Sequence, residues 1–390
     1  MNKIANRRLR LQAISICGAV SVSLLSLAGP APYSMIDLGP NSTRGINKQG
    51  QVIGEHAPGL SLGGSDWWGE AINESGQIAG SSYTADDELH ALFYSNGVLT
   101  DLGALGGNMS EAYCINNFGQ VVGEAWTASN YHAFLYQDGI MTDLGTLGGI
   151  YNSEASYIND SGQIVGFADA GIWGNPTNHA FLYSEGVMKD LGTLGGVDSF
   201  ANGINNNGDV VGRSYLAGNA VSHAFLYSGG VMKDLGTLGG TSSAAWRINS
   251  KRQIVGYSYI AGNVATHAFL YTDGVMKDLN SLVSTNSGWT LAYAQGINDR
   301  GEIICDAENA LFQTRGFLLR PTATLSILLA TNHVTVSWPS NAFASFTLQT
   351  NTSLLTTNWG SVSMGVTLSN GVFRMTFPAS GSSSFYRLKL

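Results

Sequence analysis

Six of the seven histidines, His56, His90, His132, His179, His223 and His267, open copies of one recurring phrase, and Asp101, Asp143, Asp190, Asp234 and Asp278 recur further along it. Two chemistries suit such a set. The imidazoles could ring a metal ion, or each could hydrogen-bond within its own copy to an aspartate, a serine or a main-chain carbonyl. A metal site needs three or four ligands within about 2 Å of one ion, which positions one repeat apart do not easily supply. Buried polar groups need partners, and one local bond per copy provides them. The histidines and aspartates are therefore expected to be structural, and neither a metal nor a cofactor is expected. Glu111, Glu154 and Glu124 raise a different possibility, because they depart from their repeat equivalents Phe200, Ala244 and Phe167. Paired carboxylates can cleave glycosides, although scattered surface acids are the ordinary explanation.

Other motifs are weaker. The Gly-rich "GTLGG" lacks the following helix and the Gly-Lys-Ser/Thr ending of a phosphate loop, and "NDSGQ" and "NNNGD" lack the alternating carboxylates and closing Glu of a calcium loop. Both read as turns. No Gly-x-Ser-x-Gly elbow and no metalloprotease His-Glu pair is present, so no catalytic residue is assigned. The loops that precede each His-Ala differ from copy to copy: "EAWTASNY", "FADAGIWGNPTN", "RSYLAGNAVS" and "YSYIAGNVAT". Equivalent loops should emerge on one face, and function commonly lives in such loops on a rigid scaffold. Trp126, Tyr131, Trp173, Tyr215 and Tyr259 are the candidate ligand-binding residues, with Asn130, Asn178, Asn219 and Asn263 as polar neighbours. Aromatic faces beside amides suit sugars or polar peptides. The competing expectation is that these rings fold back over the sheet edges.

The element that positions these residues is the repeat. "HAFLYSGGVMKDLGTLGG" (223–240) has relatives beginning at His90, His132, His179 and His267, at steps of 42, 47, 44 and 44 residues. Between copies runs a second phrase, such as "ASYINDSGQIVG" from Ala155, and seven Ile-Asn pairs mark seven units. His223–Tyr227 and Val231–Leu235 read as one hairpin, and Ala245–Asn249 with Gln253–Ser258 as a second, joined by an Asn-x-x-Gly turn in most copies. Four short strands per unit of about 44 residues predict an all-β propeller, with a stacked solenoid as the alternative. The ends favour the ring. Met35–Gly39 lacks a first strand and Arg315–Leu319 lacks its followers, so together they complete one composite blade and remove the exposed edges. Around His56 the segment "EHAPGLSLGGSDWWGEA" drops most of a hairpin, which predicts six full blades plus a reduced seventh, or six blades with that segment as an ornament.

Residues 1–28 read as a cleaved signal peptide: Lys3, Arg7, Arg8 and Arg10 precede a largely apolar run from Ala13 to Leu27, with small residues at its end. The run is shorter than the roughly 20 residues of a membrane-spanning helix, and Ile16 before Cys17 argues against a lipoprotein. Loss of that segment removes four of the 19 basic residues and none of the 27 acidic ones, leaving a net charge of −12. Nucleic acid, whose binding rests on Lys and Arg, is an unsuitable partner. Cys114 and Cys305 lie far apart in the repeat series, and no disulfide between them is expected.

Taken together, "HAFLY", "DLGTLGG" and "INxxGQVVG" resemble the HAF (His-Ala-Phe) family of extracellular repeat proteins over roughly residues 33–320. The resemblance implies an exported bacterial protein and carries no activity or catalytic residues. "DLNSLV" at Asp278, Cys305 in place of Gly and the cut unit at His56 depart from the pattern. From Pro321 the chain turns Ser-, Thr- and Asn-rich, and "VSWP" and "FYRLKL" resemble the terminal Ig- or fibronectin-like modules of secreted proteins from Verrucomicrobia-type bacteria. The expected organisation is signal peptide 1–28, propeller 29–320 and a small β-sandwich 321–390. The expected function is a monomeric, noncatalytic extracellular or cell-surface scaffold binding a polysaccharide or other polymer. A carbohydrate-active enzyme and a purely structural envelope protein are the alternatives.

Overall fold

Unit 6, taken first, shows why the repeat folds as it does. Its strands Gly239–Ile248, Ile254–Ile260, Thr266–Thr272 and Val275–Asp278 pair in chain order as one antiparallel sheet. Phe269 and Ala268 of the His-Ala-Phe phrase are fully buried. The first strand begins six residues before the expected Ala245. A side chain at Gly240 would meet the carbonyl of Tyr259 at 2.5 Å, so only glycine lets the strand run back that far.

The computed structural model describes residues 32–40, 42–54, 62–171, 176–284, 287–322, 326–330, 333–339, 347–351, 359–362, 365–369, 372–378 and 385–389. The chain divides into two compact parts, Tyr33–Arg320 and one that includes Pro321–Leu390. In the first part, four-stranded sheets built like unit 6 span 63–101, 110–143, 153–190 and 195–234, here units 2 to 5. Unit 1 has two described strands, Thr43–Ile46 and Val52–Gly54. Unit 7 combines Trp289–Ile297, Ile303–Asn309 and Thr314–Pro321 with the early strand Tyr33–Gly39, the first and last strands of this part lying side by side in one sheet. His56 lies outside the described residues.

Seven buried asparagines close these units into a ring. Nδ2 of Asn47 donates to the carbonyl of Asn73, and the pattern continues through Asn116, Asn159, Asn205, Asn249 and Asn298 back to Asn47, each bond 3.0–3.1 Å. A ring of antiparallel sheets closed in this way is a β-propeller. Each Oδ1 also accepts main-chain N–H groups of its own turn, as Asn159 does from Ser161 and Gln163. Glycine usually ends that turn, as Gly162 does at φ 74°. In unit 6 Arg252 takes its place at φ 60°, anchored by two 2.8 Å bonds to Asp209.

Apolar cores form between neighbouring sheets. One packs Cys114, Val122 and Ala133 of unit 3 against Ala155, Ile158, Ile164 and Phe181 of unit 4. A serine spans four of these junctions, as Ser153 Oγ does by accepting from the N–H of Ala133 and donating to the carbonyl of Gly145, and between units 6 and 7 Asn280 bonds Leu291 instead. Both described cysteines are buried and free. Cys305 stands where units 3 to 6 have glycine, and there the first strand carries an extra register shift between Leu291 and Tyr293 that accompanies the added side chain. At Asp278 the departure "DLNSLV" forms a short 3-10 helix, Leu279–Ser281.

The second part holds two described sheets, one containing Ser326–Ala330, His333–Pro339, Val372–Pro378 and Val366–Ser369, the other Gly360–Ser361, Thr347–Asn351 and Phe385–Lys389. Val334, Val336 and Trp338 of the first share a core with Leu348 of the second. No helix among the described residues is long and apolar enough to cross a membrane.

Candidate functional site

The His-Asp phrase builds rims, not a centre. Nδ1 of His90, His132, His179, His223 and His267 lies 2.7–3.0 Å from the carboxylate of Asp101, Asp143, Asp190, Asp234 and Asp278 of the same sheet. Four of those carboxylates also accept the N–H of the glycine two residues on, as Asp143 does from Gly145 at 2.7 Å. Each pair ties the third strand of its sheet to the fourth and caps the turn that leaves it. Among the described residues no group of three or more His, Cys, Asp or Glu could hold a metal ion.

The described loop aromatics lie on three sheets, two of them, Trp126 and Tyr131, on one. Trp126 and Tyr131 come together, with ring centroids 6.3 Å apart. Tyr215 and Tyr259 take the place of Trp126 in units 5 and 6, where the chain passes close over Gly196 and Gly240. Trp173 lies outside the described residues. Three of the expected polar neighbours are already engaged: Asn219 and Asn263, both at positive φ, accept the N–H groups of Val197 and Thr241 at 2.8 Å, and Asn130 donates to the carbonyl of Ile150 at 3.0 Å. Their amides hold the loops down instead of facing a ligand.

The side chains that do converge lie on the first strands. Arg44, Glu70, Tyr113, Ser156, Asn202, Trp246 and Gln295 each stand three residues before a ring asparagine, and all seven line one cavity of about 220 Å³ together with Glu154 and Arg247. No residue type occurs twice at this position, although the asparagine after it never changes. This variation, at one position of every first strand, was as visible in the sequence as that of the loops or of Glu111, Glu124 and Glu154.

The cavity has two unlike sides. On one, Glu154 lines the cavity, and in the neighbouring sheet Glu111 holds the equivalent position and pairs across the strands with Glu124. Burial raises the Glu124 carboxyl to about 8, the charges of Glu154 and Glu111 add to this, and a hydrogen bond with Tyr113 opposes it. Burial also raises Glu154, where a 2.9 Å bond from Ser156 works against it, and Glu111. Tyr131 joins this side to the loops, since its phenol is raised by burial and then by Glu124 and Glu154. On the other side Trp246 stacks on Tyr293 at 5.8 Å and 12°, with Tyr257 edge-on to both. Arg247 donates to the carbonyls of Asn202 and Trp246 and lies over the ring of Tyr157, and Arg44 faces Glu70 at 3.8 Å.

A pH dependence follows. The ordinary glutamate value is 4.5 and the folded value of Glu124 about 8, so between them the native protein holds a proton that the unfolded chain has lost. Stability conferred by the protonated group should therefore fall as pH rises through this window. Melting curves from about pH 5 to pH 8 should show a smaller decline for Glu124→Gln than for the wild type. Equal slopes would place the proton elsewhere.

No family model matches the chain, and no curated protein matches it. Among solved structures it is similar to the β-propeller domain of the Trilobed protease from Pyrococcus furiosus, at 9% identity over 69% of this chain and 82% of that one, with a TM-score of 0.46. It is also similar to a sialidase from Trypanosoma rangeli in complex with the inhibitor DANA, at 12% identity over 82% of this chain and 77% of that one, with a TM-score of 0.33.

Proposed function

We propose that this is an exported, noncatalytic binding protein of the HAF type, with six full blades and a reduced seventh followed by a small β-sandwich, and that it binds a glycan or similar extracellular polymer at the axial cavity. The observation that carries this reading is the contrast between seven identical ring asparagines and seven different residues three positions earlier, around one cavity. A purely structural ring has no use for that variety, whereas a ligand with a distinct group on each side does. The braced Trp246 offers an apolar face of the kind a sugar ring stacks on, and Asn202, Gln295 and Ser156 offer hydrogen bonds. Trp126 and Tyr131 flank the carboxylate side and would meet the rest of a long ligand.

The test is retention of the purified protein on a panel of soluble and insoluble polysaccharides, with reducing ends assayed in parallel. Retention without release, lost in Trp246→Ala, is the expected outcome; absence of retention overturns the reading. Release of products would favour a carbohydrate-active enzyme. The observation behind that second reading is Glu124, whose carboxyl burial pushes up to about 8 beside Glu111 and Glu154, as a general acid beside a base or nucleophile would be. In that case Glu124→Gln should abolish release.

A further inference from the structure

One arginine of the propeller has no polar partner. The other six between Tyr33 and Arg320 each meet a carboxylate or main-chain carbonyls, as Arg252 meets Asp209 and Arg247 the carbonyls of Asn202 and Trp246. Among the described residues nothing accepts a hydrogen bond from Arg213 or forms an ion pair with it. It is half-buried, and its guanidinium lies 4.6 Å over the ring of Phe200, its neighbour across the strands. A guanidinium carries its five N–H donors in one plane, and stacking on a ring fixes that plane without using any of them.

The surroundings of Arg213 are aromatic, not acidic. In unit 5 it takes the place that Glu124, Phe167 and Tyr257 hold in units 3, 4 and 6. Toward unit 4 the neighbour of Phe200 is Phe167, edge-on at 5.1 Å, which is itself the cross-strand partner of Glu154. Toward unit 6 stands Tyr257: burial raises its phenol, the charge of Arg213 lowers it, and Tyr259, Tyr293 and Tyr215 raise it further, so all four groups act on one ring. Tyr257 also packs edge-on to Trp246 at 5.3 Å, and Trp246 lines the axial cavity. Aromatic side chains therefore lead from Tyr215 and Tyr259, one on each sheet, past Arg213 to the cavity wall.

Resting on the glycan-binding reading above, we infer that the bound polymer is acidic: with one sugar against Trp246 in the cavity, a neighbouring sugar carries a carboxylate that Arg213 receives, its ring passing over Tyr257 toward Tyr215 and Tyr259. Arginine pairs with a carboxylate through two parallel N–H donors, and aromatic faces suit the apolar faces of sugar rings. The chain as a whole carries a formal charge of −8, so it repels an anionic polymer at a distance, and a preference for one has to arise at a local cation.

Calorimetric titration of the full-length protein, in buffer containing a chelator, with polygalacturonate, its methyl ester, dextran and dextran sulfate tests this. The acid is expected to bind more tightly than the ester, which has the same backbone without the charge, by roughly tenfold or more. Arg213→Gln should bring the acid down to the level of the ester and leave the ester unchanged, with melting curves showing that the variant remains folded. Equal binding of acid and ester would overturn the inference and leave the glycan reading standing. A preference for the acid that survives Arg213→Gln would refute the assignment of the arginine. Binding of dextran sulfate alone, lost in Arg213→Gln, would overturn the carboxylate in favour of a sulfate ester. Failure of all four would overturn the inference; the glycan reading survives that result if a neutral polysaccharide is still retained and falls with it if none is.

Discussion

Replacing Asn159 by alanine should lower the melting temperature by roughly 5–10 °C, an effect of about 2–4 kcal/mol. Its Nδ2 donates to the carbonyl of Asn205 and to Gln163 Oε1, and its Oδ1 accepts from the N–H groups of Ser161 and Gln163. Alanine leaves those groups unpaired in a buried place, where each costs far more than the lost bond alone. A natural control exists in the chain. Asn309 makes the same local bonds, to Leu311, Gln313 and the Gln313 side chain, in an exposed turn and with no neighbour across a unit boundary. Asn309→Ala should therefore cost under about 1 kcal/mol. Asn159→Asp separates the contributions further, because it keeps the acceptor and turns a second oxygen toward the Asn205 carbonyl; it should be no more stable than Asn159→Ala. Equal losses at positions 159 and 309 would mean that the ring bond adds nothing to the turn.

Gly166→Ala is the second large effect. A side-chain carbon there would sit 1.8 Å from the carbonyl oxygen of Glu154, on the facing strand of the same sheet. No rotamer relieves a clash with backbone, so the first two strands must part, at about 3 kcal/mol or more. Gly162→Ala makes the comparison: Gly162 is at φ 74° with only a side-chain amide near, and its replacement should cost about 1 kcal/mol of backbone strain. Because Glu154 is the displaced partner, Gly166→Ala should also weaken ligand retention in the surviving folded fraction. A variant within about 1 kcal/mol of the wild type would show that the two strands separate easily, and would undercut the rigid placement of Glu154. At Cys305 the chain does carry a side chain at this position, and there the facing strand has Ala292 as an extra residue.

Much of the frame was legible in the chain. The hairpin of His223–Tyr227 and Val231–Leu235 forms as Ser222–Ser228 and Val231–Asp234, because alternating apolar residues and a two-glycine turn are decided by neighbours in sequence. The pairing of Tyr33–Gly39 with Thr314–Pro321 was readable for a related reason: each fragment carries half of a pattern that occurs whole elsewhere. Less legible was the start of the inner strand at Gly239, which depends on how closely the chain at Tyr259 approaches Gly240.

The candidate site divides along the same line. Sequence alone marked Glu111, Glu124 and Glu154 as departures from the repeat, since the equivalents Phe200, Phe167 and Ala244 are in plain view, but it held no measure of their distance from one another. Trp126, Tyr215 and Tyr259 were equally visible as departures, and the fold keeps them apart, one to a sheet. What the sequence by itself determined was the unit: its hairpins, its turns and a local partner for the histidine, which in five sheets is the aspartate eleven residues on, all of which arise from residues a few places apart. Which departures meet was decided only by ring closure. Seven units joined through seven asparagines bring Arg44 and Gln295, some 250 residues apart in the chain, to one cavity, because a first strand that runs beside the axis puts its three-before-asparagine residue at the centre, whatever its place in the chain.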